Sequence, residues 1–169
     1  MAESQALFLT CRDSLVRYLA GAVGHGETAR DLAQDVFVRV VAATRLPPTD
    51  PERRAWLFHV ARNIAIDHLR RERHRRADAL EAEPVAPAGS GPDTALMVKQ
   101  ALAWLDDLGR DVFLMREAAG LSYAEIAAAC GLTPDAVRSR IHRARLQLRE
   151  FLQQPIQTAR ARPLRTGLR

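Results

Sequence analysis

The sequence predicts an all-α protein made of two small helical domains joined by a flexible linker, the second domain being a helix-turn-helix. Apolar residues recur with a spacing near 3.6 in seven stretches, none of which shows the strict alternation of a half-buried strand. Between the third and fourth stretch lies a segment rich in Ala, Pro and Gly, residues 77–95, that lacks this periodicity. The last two stretches have the capping and turn residues that a helix-turn-helix requires.

The periodic stretches predict three helices before the linker and four after it. The expected bounds are 5–22, 27–44, 51–73, 93–105, 110–119, 123–130 and 134–152. The second helix places Leu32, Val36 and Val40 on one face, and it ends before Pro47 and Pro48 because proline does not continue a helix. The predicted division is a first domain at 1–76, the linker at 77–95, a second domain at 96–152 and a tail at 153–169.

Charge is unevenly distributed along the chain. The net charge of +5 and the pI near 10.2 favour a polyanionic partner. The linker is wholly acidic, whereas the tail has only basic charges and is expected to stay disordered until it meets a partner. Each of the 25 basic residues except Lys99 is arginine, which suits bidentate contacts to phosphate, although coding bias in a GC-rich genome explains this equally well.

Enzymatic, metal-binding and membrane roles have no support in the sequence. Motifs for phosphate binding, serine hydrolysis and zinc proteolysis are absent, so neither catalysis nor a cofactor is expected. Cys11 and Cys130 have no metal-ligand spacing, and two reduced, buried thiols are expected. No stretch approaches the roughly 20 apolar residues that span a bilayer, and Glu3 stands where a signal peptide would be basic. A cytoplasmic protein is therefore expected.

A helix-turn-helix is predicted in the second domain. Ser122 and Glu125 form a capping box, in which each side chain satisfies a free backbone N–H at the start of a helix. Ala127 suits the crossing of two helices, Gly131 the left-handed turn and Val137 a buried position on the following helix.

That following helix presents polar and basic side chains opposite its apolar stripe. It has no acidic residue from Val137 to Arg149, as expected of a helix that lies in the major groove and contacts bases and phosphates. A solvated arginine-rich face is the simpler alternative, which the preceding turn signature makes less favoured. The expected DNA contacts are Arg138, Ser139, Arg140, His142, Arg143 and Arg145.

A second candidate DNA surface lies on the third helix. At 100° per residue its apolar residues share one face, and amide, carboxylate and guanidinium groups line another, where they are able to contact unpaired bases. The arginines near residue 73 suit phosphates. For Trp56 a core position is favoured over base stacking. The expected contacts are Trp56, Asn63, Asp67, Arg70, Arg71 and His74.

The sequence resembles the extracytoplasmic-function (ECF) group of bacterial sigma factors. The matching strings are DLAQDVFVRV (31–40), RAWLFHVARNIAIDHLRRERHRR (54–76) and LSYAEIAAACGLTPDAVRSRIHRARLQLRE (121–150). The resemblance covers nearly the whole chain except the tail. It implies a specificity subunit that binds core RNA polymerase and directs it to particular promoters.

The resemblance also implies roles for individual surfaces. The second helix would dock on core polymerase, with Phe37 as either a contact or a core residue, and the contact candidates are Asp31, Gln34, Asp35 and Phe37. The third helix would recognise the minus-ten promoter element, with Asn63 and Asp67 at a flipped base, and the last helix the minus-thirty-five element. The linker would thread toward the polymerase active cleft, and a cognate anti-sigma factor would hold the protein inactive.

Two further expectations remain. Free in solution, the basic faces are expected to pack together or to be covered by an inhibitor, so that the isolated protein binds DNA poorly. The competing hypothesis is a helix-turn-helix regulator that acts without polymerase. It predicts a receiver-like α/β domain or a dimerisation helix in residues 1–76, where neither strands nor heptads are found.

Overall fold

The computed structural model describes residues 2–79 and 93–153, and these two ranges contain seven helices and no strand. The all-α prediction is confirmed. The helices are α1 (Ala2–Val23), α2 (Gly26–Ala42), α3 (Asp50–Asp78), α4 (Asp93–Trp104), α5 (Asp107–Glu117), α6 (Tyr123–Cys130) and α7 (Pro134–Gln153). We call α1–α3 the amino-terminal block and α4–α7 the carboxy-terminal block.

The observed helix bounds differ from the expected ones mainly at two ends. The third helix continues beyond residue 73 to Asp78, so the whole arginine cluster is helical. The fifth begins at Asp107 rather than at residue 110, and Gly109, which reads as a helix breaker, is buried inside it. A Cβ at Gly109 would collide with the Asp106 carboxylate, which explains why glycine suits this position. Residues 80–92 of the expected linker and 154–169 of the tail lie outside the described residues.

A capping box that the sequence analysis missed fixes the start of α3. The Glu52 backbone N–H donates to Thr49 Oγ1 at 3.4 Å, and the Glu52 carboxylate accepts from the Thr49 backbone N–H at 3.2 Å. Pro51 occupies the first turn, where its missing N–H costs nothing. Such a cap stabilises a helix by about 1 kcal/mol and here sets where the candidate minus-ten helix begins.

The amino-terminal block has an aromatic core. The rings of Tyr18 and Phe58 meet edge to face with centroids 5.7 Å apart, and both side chains are fully buried. Leu32, Val36 and Val40 line the buried face of α2, as predicted. This packing holds α2 and α3 so that their polar faces point outward.

The two blocks pack against each other and share one continuous apolar core. Helix α6 lies along α3, and α5 lies against α1. The α1–α5 approach is close because residue 21 is glycine: a Cβ there would stand 2.6 Å from Leu114 Cδ2. The contact is made by α5 and α6, whereas the basic face of α7 stays exposed, so the structure does not show the basic faces packed against each other.

Candidate polymerase and promoter interfaces

The helix-turn-helix forms with its predicted local contacts. Ser122 Oγ accepts from the Glu125 N–H at 3.1 Å, and the Glu125 carboxylate accepts from the Ser122 N–H at 2.7 Å. Gly131 ends α6 with φ 66° and ψ 38°, in the left-handed region. Thr133 Oγ1 then accepts from the Ala136 N–H at 3.2 Å and caps α7. Both helices therefore begin and end where the sequence specifies.

The apolar stripe of α7 is buried against the rest of its block. Val137, Ile141 and Ala144 are each at most 2% exposed, and Ala127 of α6 is 5% exposed where the helices cross. Because this stripe is fixed, the opposite face of α7 is oriented toward solvent as a rigid surface.

The six candidate residues on α7 fall into two groups. Ser139, His142 and Arg143 are exposed and have no ion-pair partner among the described residues. The other three are engaged by acidic side chains: the ion pairs are Arg138 with Asp135 at 2.7 Å, Arg140 with Asp106 at 3.8 Å, and Arg145 with Glu117. DNA phosphates would have to displace these carboxylates, so the exposed group is the readier surface.

The candidate minus-ten residues on α3 are placed less uniformly. Asn63 is exposed, and its Nδ2 lies 3.1 Å from His59 Nε2. Asp67 pairs with Arg70 at 3.2 Å, and its backbone carbonyl accepts from Arg71 Nε. The remaining two candidates differ: His74 is exposed, whereas Trp56 is half-buried and packs against the core, which agrees with the favoured core interpretation.

The α3 surface is tied to the helix-turn-helix. His59 Nδ1 lies 2.9 Å from the Ala129 carbonyl oxygen of α6, so Asn63, His59 and α6 form one hydrogen-bonded chain. No local sequence pattern reveals this contact of His59, because its partner is a backbone atom 70 positions away. In this arrangement the candidate minus-ten helix is in contact with the first helix of the helix-turn-helix.

The candidate polymerase surface lies on α2. Asp31, Gln34 and Asp35 are exposed, and the two carboxylates lie one helical turn apart. Phe37 is half-buried and packs on Phe8 with centroids 4.7 Å apart, at the edge of the core rather than within it. Sequence analysis missed Val38, an α2 residue that is 64% exposed. An acidic stripe beside exposed apolar area suits a protein partner.

Sequence analysis also missed a buried polar cluster where the blocks meet. Arg62 Nε of α3 donates to Asp111 Oδ2 of α5 at 2.8 Å, and the Tyr18 hydroxyl of α1 donates to Asp111 Oδ1 at 3.3 Å. Burial raises the pKa of the Asp111 carboxyl even though Arg62 opposes this. Burial and the Asp111 charge together raise the pKa of Tyr18 well above its usual value.

Two more arginines bridge the blocks through backbone carbonyls. Arg17 of α1 donates to the Ala118 carbonyl at 2.9 Å, and Arg54 of α3 donates to the Ala119 carbonyl at 2.8 Å. These carbonyls lie at the end of α5, where helix carbonyls lack partners within the helix. The interface is therefore polar as well as apolar.

Comparison with known proteins identifies the family. Residues 7–75 match the family model for sigma-70 region 2, and residues 95–148 match the model for sigma-70 region 4. The chain is 33% identical over 140 residues to the RNA polymerase sigma factor CarQ of Myxococcus xanthus, covering 80% of each chain. It is 34% identical over 152 residues to the ECF RNA polymerase sigma factor SigL of Mycobacterium tuberculosis, covering 83% of each. The chain belongs to the ECF sigma factors.

Solved structures agree with this assignment. CnrH, solved in complex with the cytosolic domain of CnrY, matches this protein with a TM-score of 0.66 and 30% identity. The match covers 88% of this chain and 86% of the CnrH chain. The sigma factor RpoE from Bartonella quintana, solved with the anti-sigma factor NepR, matches with a TM-score of 0.65 and 26% identity over 90% and 95%.

As an ECF sigma factor, the protein binds core RNA polymerase and directs transcription initiation at specific promoters. The hypothesis of a regulator that acts without polymerase is not supported. Within residues 2–79 and 93–153, no group of three or more His, Cys, Asp or Glu is placed to hold a metal ion. None of the described helices is long and apolar enough to cross a membrane.

Proposed function

We propose that α7 recognises the minus-thirty-five element and α3 the minus-ten element of the same promoter. The observation that favours this most is the exposed surface of Ser139, His142 and Arg143 on a helix whose opposite stripe is buried. Arginine and histidine at these positions are able to contact base edges in the major groove. Asn63 and Asp67 on α3 offer an amide and a carboxylate for an unpaired base.

Run-off transcription with bacterial core polymerase on a pool of genomic fragments tests this proposal. We expect initiation at a few discrete start sites, reduced at least about tenfold by Asn63→Ala or by Arg143→Ala, as when a specific base contact is lost. Arg12→Ala, which removes an exposed arginine of α1, is the matched control and should leave the start sites unchanged. Specific duplex binding without any binding to core polymerase would instead establish the regulator.

We further propose that core polymerase docks on α2 through Asp31, Gln34 and Asp35, with part of Phe37. Charge reversal by Asp35→Lys should weaken binding to core polymerase at least about tenfold, because it places a like charge against a basic partner surface. Glu27→Lys, in the first turn of the same helix, is the control. Equal loss in both variants would indicate a general charge effect.

The remaining expectations follow from the family. We propose that the protein is an initiation factor without enzymatic activity and that it works in the cytoplasm. We also propose that a cognate anti-sigma factor controls it, because the structural neighbours CnrH and RpoE were solved in complex with CnrY and with the anti-sigma factor NepR. The domain division at 76, 95 and 152 is part of this proposal. To test for such an anti-sigma factor, the tagged chain is purified from its own host before and after stress, and the proteins that co-purify with it are compared.

A further inference from the structure

A basic cleft of about 500 Å³ lies between the two blocks. The end of α3 lines one side of it with His68, Arg73 and Arg76, and the other side is lined by Lys99 of α4 and Arg110 of α5. The cleft exists only when the blocks are packed together, because each block supplies one wall.

Of the cations that line the cleft, only Arg110 is paired with an acidic lining side chain in the described part of the protein. Asp107 is engaged by Arg110 at 2.8 Å, and Glu72 is engaged at 2.7 Å by an arginine outside the lining. Arg73, Arg76 and Lys99 have no carboxylate within 4 Å in the described part of the chain. Like charges on opposite walls repel each other, and an anion bound between them would relieve this repulsion.

Arg110 and Lys99, which both line the cleft, differ in how far their hydrogen-bond donors are open to it. Arg110 Nε is buried and has no hydrogen-bond partner among the described residues. The Lys99 side chain reaches across to the other block, since a Cβ on Gly24 in the α1–α2 turn would stand 2.9 Å from Lys99 Cε. Because Arg110 Nε is closed off from solvent, the donor of these two that is open to an anion in the cleft is the Lys99 ammonium.

We propose that this cleft binds a small polyanion with several phosphate groups, of the class that includes nucleoside polyphosphates and inorganic tripolyphosphate. Guanidinium and ammonium donors are the side chains that best hold phosphate oxygens, and a volume of about 500 Å³ is within the range of small-ligand pockets. Because donors come from both walls, the polyanion binds the packed arrangement and holds the blocks together. Promoter binding and polyanion binding then oppose each other.

Titration calorimetry on the full chain, with inorganic tripolyphosphate and with GTP at about 150 mM salt, tests the proposal. We expect one site per chain. Arg76→Gln and Lys99→Gln, one from each wall, should each weaken binding about tenfold, because each removes a charged hydrogen bond to phosphate. Arg12→Gln removes the same charge from an exposed position on α1 and should change affinity by less than about twofold. Tighter binding of GTP than of tripolyphosphate would add recognition of the base.

A second measurement follows the packing of the two blocks rather than the affinity for the polyanion. Cys130 lies at the α3–α6 contact, where Arg62 and Asp111 are among its charged neighbours, and saturating tripolyphosphate should slow its reaction with a thiol reagent in wild type but not in Lys99→Gln.

Three outcomes would overturn the proposal. Equal weakening by Arg12→Gln would mean that phosphate binds the basic chain without a site. Failure of both compounds to bind wild type and the Glu81→Gln, Glu83→Gln double variant alike would exclude the ligand class. Binding that appears only in the Glu81→Gln, Glu83→Gln double variant would assign the cleft to the chain's own acidic segment.

Discussion

The buried cluster of Tyr18, Arg62 and Asp111 is the most consequential finding at the scale of single residues. Asp111 is 6% exposed, and two side chains from the other block satisfy it. A buried ion pair contributes little net stability, because desolvation offsets attraction, yet loss of one partner leaves an uncompensated charge. Nothing local marks these residues in the sequence, since the two hydrogen bonds join positions 93 and 49 apart.

Loss of the arginine from this cluster should destabilise the packed protein. We expect Arg62→Met to lower the free energy of unfolding by about 3 kcal/mol at neutral pH, because the Asp111 carboxylate loses its cation while remaining buried. Urea denaturation followed by circular dichroism measures the change. The double variant Arg62→Met, Asp111→Leu should recover most of the loss, and failure to recover it would show that Arg62 acts through packing alone.

The raised pKa of Asp111 predicts a pH dependence of defined sign. Burial favours the protonated carboxyl, so the stability it contributes is fully present below the ordinary aspartate pKa of about 4 and is lost as pH rises through the raised value. The charged and titratable groups that face it are Tyr18, Arg62, Arg110 and Cys130. Wild type should therefore lose stability relative to Asp111→Asn over the interval from about pH 4 up to the raised pKa of Asp111, measured as urea midpoints. A constant difference across that interval would contradict the assignment.

At the scale of elements, the helix-turn-helix was the part most open to prediction. Its capping box, turn glycine and apolar stripe all depend on residues three or four positions apart, and such local rules are visible in sequence. The division of the α7 surface was not visible, because Arg140 and Arg145 are engaged by Asp106, just before α5, and by Glu117, at the end of α5. The start of α5 was mispredicted because Gly109, a residue that disfavours helices, lies in its first turn.

The turn between α6 and α7 should tolerate no side chain in place of Gly131. At φ 66° an alanine pays the cost of the left-handed conformation, so we expect Gly131→Ala to destabilise the protein by about 1–2 kcal/mol. The same variant should tilt α7 and thereby weaken binding of the holoenzyme to the minus-thirty-five element. Gly26→Ala is the control, because its Cβ would meet nothing within 4 Å and its φ is not positive. Equal losses in both variants would refute the turn argument.

At the scale of the whole molecule, the packed blocks conflict with simultaneous promoter recognition. The minus-ten and minus-thirty-five elements are separated by roughly 25 base pairs, or about 85 Å of duplex. In the structure α3 and α6 are in hydrogen-bond contact through His59 and the Ala129 carbonyl. If α3 and α7 recognise these two elements as proposed, the blocks must separate on the promoter. Periodicity and motif predicted each block but not this contact, because shared burial between distant segments leaves no local pattern.

The close approach of α1 and α5 offers a direct way to shift this equilibrium. Because a Cβ at residue 21 already meets the flexible end of Leu114, alanine should be absorbed by a side-chain rotation, whereas Gly21→Leu should cost the packed arrangement about 2 kcal/mol. Cys130 should then react about thirtyfold faster with a thiol reagent, and the isolated protein should bind promoter DNA more tightly.

Gly21→Leu distinguishes a packed state that opposes DNA binding from one that is merely stable. Gln5→Leu adds the same apolar side chain at an exposed position of α1 and should change neither thiol reactivity nor DNA affinity. Because binding both promoter elements already requires separated blocks, transcription by the holoenzyme should change little in Gly21→Leu. If thiol reactivity rises while DNA affinity of the free protein stays constant, the packing of the blocks does not limit promoter access, and an external inhibitor must account for any silence of the free sigma factor.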